Sequence, residues 1–491
     1  MNLTGGNKKS SANTELYPKV LVVGESFHTR SGGGITQSNL FKFWPKDKIA
    51  IIPYDKETSD PSVCSRIYTL GEIEIKYPFP FKLINKISEK VKNSSKESSS
   101  RVKENRSHEG YESHDTDNEA NDQHIRILYL KKTRIRVYEF MKGIYRAIIG
   151  FLGISHVTNR LVVSSELLKW IDEFAPDVIY AQFATVDKIR FVQDLKASTG
   201  LPLVLHFMDD WPSVLVTPGL LQNHWKNVVN LELKRLIDSA DTCIAISEKM
   251  ADEYQSRYNR DFVYMHNPVD VDKWLPSSRT SWESGSVFKI LYAGRAGKGI
   301  TKSIRTIADS VQELRKKDLS IEFHIYTKDF ARAMLVFKSM PAVRVHPPIP
   351  DYDRLPQLFS SHDLLLLPLE FNSDFFRLSM PTKVSEYMIS GTPVLVFAPR
   401  DTALSEYAVK YRWAYVIDND RSSINKAITN LYYNESARRE LGVRAKEIAV
   451  LRHNAIEIRS DFRNLLSLQR KIKEYKNDNR DILSAEKVNE C

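Results

Sequence analysis

Residues 363–398 read DLLLLPLEFNSDFFRLSMPTKVSEYMISGTPVLVFA, and this stretch decides the fold. An apolar run opens it and another closes it. Between them lie a polar loop, a proline at a helix entrance and a helix that ends at Gly391. Strand, loop, helix and strand in that order form the repeating unit of a parallel α/β sheet. Lys383 and Glu386 stand three residues apart and share one helix face. The helix start near Pro381 leaves backbone N–H groups without helical partners. A free helix start, a lysine and a carboxylate able to accept ribose hydroxyls together suit a nucleotide diphosphate.

Outward from this unit, the same alternation fills most of the chain. Lys19 to Val23, Ala50 to Pro53, Asp177 to Ala181, Leu203 to Phe207 and Thr242 to Ile246 read as strands of a first half. A helix is expected from Ile35, another over Leu231 to Asp238, and a third from Glu248 to Tyr258 with Ser247 as its cap. After a linker the pattern restarts. Val287 to Ala293, Ile321 to Tyr326, Val343 to His346, Asp363 to Pro368 and Pro393 to Phe397 read as strands, and Lys302 to Arg315 as an amphipathic helix. The expected fold class is α/β, two Rossmann-like parallel-sheet domains facing across a cleft.

At 491 residues two domains fit comfortably. The expected division is a loose N-terminus at 1–16, a first domain over 17–275, a linker at 276–286 and a second domain over 287–455. A crossing helix at 456–473 and a charged tail at 474–491 follow. Residues 92–122 are polar and carry almost no apolar side chains, so they are expected to stay disordered. Cys64, Cys243 and Cys491 are far apart, which excludes a disulfide scaffold or zinc-finger pattern and suits a reducing, cytoplasmic setting. No leader is visible at the N-terminus, and the best apolar run, Ala147 to Ile154, is eight residues long. A membrane span needs about 18–20.

The net charge of +10 predicts acidic partners. No zinc, RNP or helix-turn-helix pattern supports nucleic acid. Residues 131–160 are strongly basic, with Lys131, Lys132, Arg134, Arg136, Lys142, Arg146 and Arg160 against Glu139 alone. Val137, Phe140, Met141, Ile144, Ile148, Phe151 and Leu152 recur there at helical spacing. Two readings stand: an apolar stripe docked on the first domain, or an interfacial helix on an anionic membrane. Two D-x-D triplets occur. Asp115–Asp117 lies in the polar insert, and Asp418–Asp420 reads as a turn after a strand.

The segment PTK-x-x-EYM-x-x-GTPV resembles the donor-site signature of retaining glycosyltransferases of family 4, which have the GT-B fold. Further places agree in order. Gly294-Arg295, followed by Lys298-Gly299, is similar to the family's G-R…K-G, with a shorter gap. His206, followed by Asp209, Asp210 and Pro212, resembles its H-D…P segment, with two residues inserted. Ser247-Glu248 and Asn267-Pro-Val-Asp270 resemble S-E…N-G-V-D. Gly32 to Gly34 resemble the glycine-rich loop that faces the diphosphate. The resemblance covers roughly residues 18–92 and 160–470.

What it implies is transfer of a sugar from a nucleotide-diphosphate donor to an acceptor hydroxyl, with retention and without a metal. The acceptor would be a carbohydrate or a lipid-linked one, as in polysaccharide or glycolipid assembly. Arg295 and Lys298 would steady the leaving diphosphate, where fixed cations favour the transition state. Gly33, Gly34, Lys383, Ser379, Met380, Pro381 and Thr382 would line the phosphate and sugar, and Glu386 would hold the ribose. His206 would face the sugar from the other side. A departing phosphate oxygen would take the acceptor's proton. Leu378 stands where many members carry a glutamate on the donor sugar; Glu370 and Asp374 are the nearby substitutes. Asp209 and Asp210 are both candidates to hold an acceptor hydroxyl. Two other readings remain open: an inactive GT-B scaffold in a polysaccharide-synthesis complex, and a nucleotide-sugar epimerase.

Overall fold

The computed structural model describes residues 17–28, 32–55, 59–77, 82, 143–144, 147–152, 159–183, 185–215, 219–297, 300–349, 351–372 and 376–471. The expected tails, the 92–122 insert with its D-x-D, and most of 131–160 lie outside the described residues. So do Lys298 and Asp374.

The first lobe is built on a seven-stranded sheet. Its strands are β1 (Val20–Gly24), β2 (Ile49–Pro53), β3 (Arg66–Ile67), β6 (Val178–Ala181), β7 (Leu203–Phe207), β8 (Thr242–Ala245) and β9 (Val263–Tyr264). They lie in the order β3-β2-β1-β6-β7-β8-β9, and every pairing is parallel. A small antiparallel pair, β4 (Ile75–Lys76) with β5 (Arg160–Leu161), stands beside it. The second lobe has six parallel strands: β10 (Phe288–Ala293), β11 (Ile321–Tyr326), β12 (Val343–His346), β13 (Leu364–Pro368), β14 (Val394–Phe397) and β15 (Tyr415–Ile417). Their order is β12-β11-β10-β13-β14-β15.

Strands buried on both faces need continuous apolar runs, and β1, β6, β7, β13 and β14 are buried throughout. Helices cover the faces. The Ile300–Lys316 helix buries Ile304, Ile307, Val311 and Leu314 against the second sheet. The Glu248–Tyr258 helix starts at Ser247, whose Oγ accepts from the Met250 N–H at 3.1 Å. The helix over 455–471 returns to the first lobe, where Phe462 packs edge-on to Phe41 and Tyr180. In both lobes the strands point their C-terminal ends at the gap between them, the place where open parallel sheets gather ligands.

The lobes touch. Ser247 Oγ donates to the Leu378 carbonyl at 2.9 Å, and Lys410 Nζ reaches Glu248 at 2.5 Å. Arg377 pairs with Glu253 and Arg452 with Glu248. One cluster of buried side chains runs from Val186 and Phe207 through Ile246 and Met250 to Leu378, Met380 and Leu404.

Candidate active site

The donor-side residues gather after β13. The Lys383–Ile389 helix is buried along its length apart from Lys383. It ends at Gly391, whose φ of 71° lies in the left-handed region that glycine adopts without strain. Glu386 is only 6 % exposed. Tyr352 donates its hydroxyl to Glu386 Oε1, while Oε2 has no hydrogen-bond partner. A buried carboxylate oxygen without a donor is costly, and it marks a place where a ligand hydroxyl fits. Burial, with the Glu386 charge beside it, holds the Tyr352 phenol far above its ordinary pKa, so it stays a donor. Lys383 is half-buried, and no hydrogen bond or ion pair engages it among the described residues. The Val384 N–H is already taken by the Pro381 carbonyl at 3.1 Å.

Across the gap stands the triple glycine, at the start of the Gly32–Leu40 helix. A Cβ placed on Gly32 would lie 3.6 Å from Thr382 Cγ2, so the two helix starts face each other in contact range. The Gly34 N–H donates to Glu25 Oε2 at 3.0 Å. A Cβ on Gly34 would sit 2.4 Å from the His28 ring, which leaves room for glycine alone. Glu25, His28 and Asp55 bring possible metal-ligand atoms within 4.8 Å of one another. Asp55, however, already accepts from the Ser26 N–H at 2.9 Å and the Ser26 hydroxyl at 2.5 Å, so this carboxylate closes the loop.

His206 is a correction. It lies inside β7, 1 % exposed, and not on the cleft wall. Gln182 donates to the Tyr180 hydroxyl at 2.9 Å, and that hydroxyl lies 2.7 Å from His206 Nδ1. Nε2 is sealed. Burial pushes the imidazole down to about 3, so it is a neutral core group. The cause is strand alternation: β7 extends to Phe207, so His206 turns inward with Val204. The aspartates that follow divide cleanly. Asp210 is buried and satisfied by Ser213 Oγ (2.5 Å), the Tyr254 hydroxyl (2.8 Å) and Arg257 (3.3 Å). Asp209 instead reaches the other lobe, where Ser379 Oγ donates to its Oδ1 at 2.9 Å. Burial, followed by the charges of Glu25 and Asp210, raises its pKa above the usual carboxylate range, against the lowering effect of the Ser379 bond.

The remaining expected residues are scattered around this gap. Arg295 is exposed in the loop after β10, its carbonyl held by the Tyr292 hydroxyl at 2.7 Å. Glu370 is half-buried just beyond β13. Met380 is buried in the core cluster, and Leu378 is fully buried. Pro381 and Thr382 are half-buried. Asp418–Asp420 holds no site: Asp420 caps the Arg421–Tyr433 helix, its Oδ2 accepting from the Ser423 N–H at 2.7 Å. In the described part of the expected basic helical region, Ile144, Ile148 and Phe151 are exposed, while Ile149 is buried and the Phe151 carbonyl accepts from the Leu220 N–H at 2.7 Å. Among the described residues, no helix is long and apolar enough to cross a membrane.

Sequence reasoning missed three contacts: Tyr352 on Glu386, Ser379 on Asp209, and Glu25 on Gly34. Each joins residues distant in the chain or hidden in a loop, and no spacing rule announces them.

Residues 125–273 match the family model described as Glycosyltransferase Family 4, and residues 287–434 match Glycosyl transferases group 1. The chain has the GT-B fold, and each of its halves matches a glycosyltransferase family model. Solved structures with this fold align over almost the whole GT-B chain. HepE from Anabaena, in complex with UDP and glucose, is 12 % identical, with 92 % of this chain and 100 % of that chain covered and a TM-score of 0.54. Sucrose-phosphate synthase from Thermosynechococcus elongatus is 11 % identical, with 92 % and 98 % covered and a TM-score of 0.57. WaaG, a glycosyltransferase involved in lipopolysaccharide biosynthesis, is 11 % identical, with 91 % and 99 % covered and a TM-score of 0.54. At these identities the likeness to solved structures is one of fold. No curated protein matches the chain significantly by sequence.

Proposed function

We propose that this chain moves a hexosyl group from a nucleotide-diphosphate sugar to an acceptor hydroxyl, with retention of configuration. The observation that carries the reading is Glu386: a buried carboxylate with an oxygen that has no partner among the described residues, next to a lysine likewise unpaired among them and opposite the triple glycine. Glu386 takes the ribose. Lys383 and the 379–382 segment take phosphate or sugar, with Gly33 and Gly34 across the gap. Arg295 and Lys298 stabilise charge growing on the departing diphosphate; a contact of this kind is worth roughly 3–4 kcal/mol of barrier. Glu370, half-buried just beyond β13, or Asp374 is the carboxylate for the donor sugar. Cations in place of a metal suffice for this leaving group. His206, sealed in the core, has no part.

The acceptor belongs to polysaccharide or glycolipid assembly. Exposed Ile144, Ile148 and Phe151, in a segment rich in lysine and arginine, support contact with an anionic membrane face. Flotation with vesicles containing anionic lipid at low salt tests this, and absence of binding counts against it.

Thermal denaturation with UDP, GDP, ADP and their sugars tests the donor reading. A ligand at a hundredfold excess over its Kd adds about 2.7 kcal/mol of stability. One nucleotide series should raise the melting temperature; no shift with any of them would defeat the proposal. One observation favours a second reading, an inactive scaffold: buried Leu378 occupies the position where a sugar-contacting glutamate is expected. That reading gains if a nucleotide binds but no sugar is ever released. The epimerase reading loses His206 to the core; Glu25, His28 and Asp55 form a histidine–carboxylate set at the gap, but Ser26 holds Asp55 and the Gly34 N–H holds Glu25.

A further inference from the structure

Resting on the transferase reading above, we propose that Asp209 is the general base that takes the proton of the acceptor hydroxyl, and that Ser379 fixes this carboxylate when the lobes close.

Three observations carry this. First, Asp209 follows β7 at the gap, and its Oδ1 is held from the opposite lobe by Ser379 Oγ at 2.9 Å. Ser379 belongs to the segment that leads into the Lys383–Ile389 helix, so the donor side and the carboxylate share one hydrogen bond. Second, the alternative aspartate is spent: Asp210 is locked by Ser213, Tyr254 and Arg257. Third, the same gap holds the unpartnered oxygen of Glu386, 94 % removed from solvent, an independent sign that a ligand occupies it. Glu25, which grips the Gly34 N–H, is close enough to disfavour the ionised form of Asp209. A base matched to neutral pH needs such a shift.

The step balances without another reagent. The acceptor O–H bond breaks and its proton moves to Asp209 Oδ2. The oxygen forms a bond to the anomeric carbon, the bond from that carbon to the diphosphate oxygen breaks, and its electron pair leaves with the diphosphate. Asp209 then loses the proton to solvent when the lobes part. This assigns the proton to the protein, where the family resemblance alone assigns it to the leaving phosphate.

The test uses the full chain and water as acceptor. UDP-glucose, GDP-mannose and ADP-glucose are first compared for binding to the wild type, and the tightest is then followed for nucleoside diphosphate release between pH 5 and 9. Asp209→Asn should bind that sugar nucleotide within threefold of wild type and release diphosphate about 100-fold more slowly. It should also lose the rise in rate that accompanies ionisation of the base. Asp209→Glu should restore part of both rate and profile. Ser379→Ala, measured at saturating sugar nucleotide so that any loss of donor affinity is removed, should slow release roughly fivefold, the effect of one hydrogen bond.

Release by Asp209→Asn within threefold of wild type, with the same pH profile, would overturn the proposal and leave the donor site standing. Loss of binding and rate in equal proportion would reduce Asp209 to a tie between the lobes. Wild-type protein that binds a sugar nucleotide but releases nothing at any pH would also overturn it, since a base held at the anomeric carbon activates water. Failure of all three probes to bind would instead remove the transferase reading on which the proposal stands.

Discussion

Glu386 and Gly34 show what single residues contribute. The Glu386 helix was legible because proline, lysine, glutamate and glycine fall at fixed spacings, and a helix does run over Lys383–Ile389. Its environment was not legible, since Tyr352 arrives from a separate short 3-10 helix, Tyr352–Arg354. Glu386→Gln keeps the shape and halves the acceptor capacity. A hydrogen bond to a charged group is worth about 1.5–3 kcal/mol, so nucleotide-diphosphate binding should weaken roughly ten- to hundredfold by calorimetry. Unchanged affinity would remove this carboxylate from the site. Gly34→Ala is a second case. Its new methyl would press into the His28 ring and lie 3.0 Å from the His28 carbonyl, so the turn must shift. The same calorimetry should show weaker nucleotide binding, with a smaller loss of melting temperature. His206 marks the limit of residue-level reading: a histidine near a strand end fits a cleft motif equally well whether it turns out or in. Only the strand's true end at Phe207 decides it.

At the scale of elements, period-two apolar runs and cap residues carried most of the information. Ile321–Tyr326 and Val343–His346 fall where the apolar runs stop, and the Ser247 cap fixes the Glu248–Tyr258 helix. The Gln222–Ser239 helix extends well beyond the expected Leu231 to Asp238, because its first half is polar and shows no apolar stripe. The returning helix is interrupted at His453, between Glu435–Arg452 and 455–471, a break that no proline or glycine announces. Packing between elements is the least legible level. Gly442, in the Glu435–Arg452 helix, lies against the end of the Glu386 helix. A Cβ there would sit 2.2 Å from the Gly391 carbonyl oxygen and 2.3 Å from Trp282 Nε1. The Trp282 indole donates to that same carbonyl at 2.9 Å. In an isolated helix alanine would be the better residue by about 1 kcal/mol. Here overpacking against backbone reverses the sign, so Gly442→Ala should destabilise by roughly 3 kcal/mol in a urea titration. A neutral or stabilising result would mean that this contact yields freely.

The whole molecule is a pair of lobes joined through buried neutral histidines, and that predicts how it meets acid. His453 packs against His266, their ring centres 4.9 Å apart, where the 455–471 helix crosses back. His453 Nδ1 lies 3.1 Å from the Asn267 carbonyl and so donates its proton there, which leaves Nε2 to accept from the Tyr407 hydroxyl at 2.9 Å. This satisfies the neutral ring completely. Burial pushes His266 down to about 4, with Arg452 adding to the effect, and burial holds His453 well below its ordinary value. His362 is pushed down to about 4 and His206 to about 3, again mainly by burial. In an unfolded chain each titrates near 6.5. Between about pH 6.5 and 4 the unfolded chain therefore binds more protons than the folded one. Stability rises with pH across this window and is lost as pH falls through it. At pH 5 the cost is on the order of 2 kcal/mol for each such histidine. Asp209 works in the opposite sense, because its raised pKa favours the folded state at low pH, but it is one group against four. The melting temperature should fall steeply from pH 7 to 5, before most carboxylates titrate. His453→Gln should lower stability at pH 7 and yet flatten the dependence by about one proton. A melting temperature that holds level from pH 7 to 5 would mean these rings reach water in the folded state.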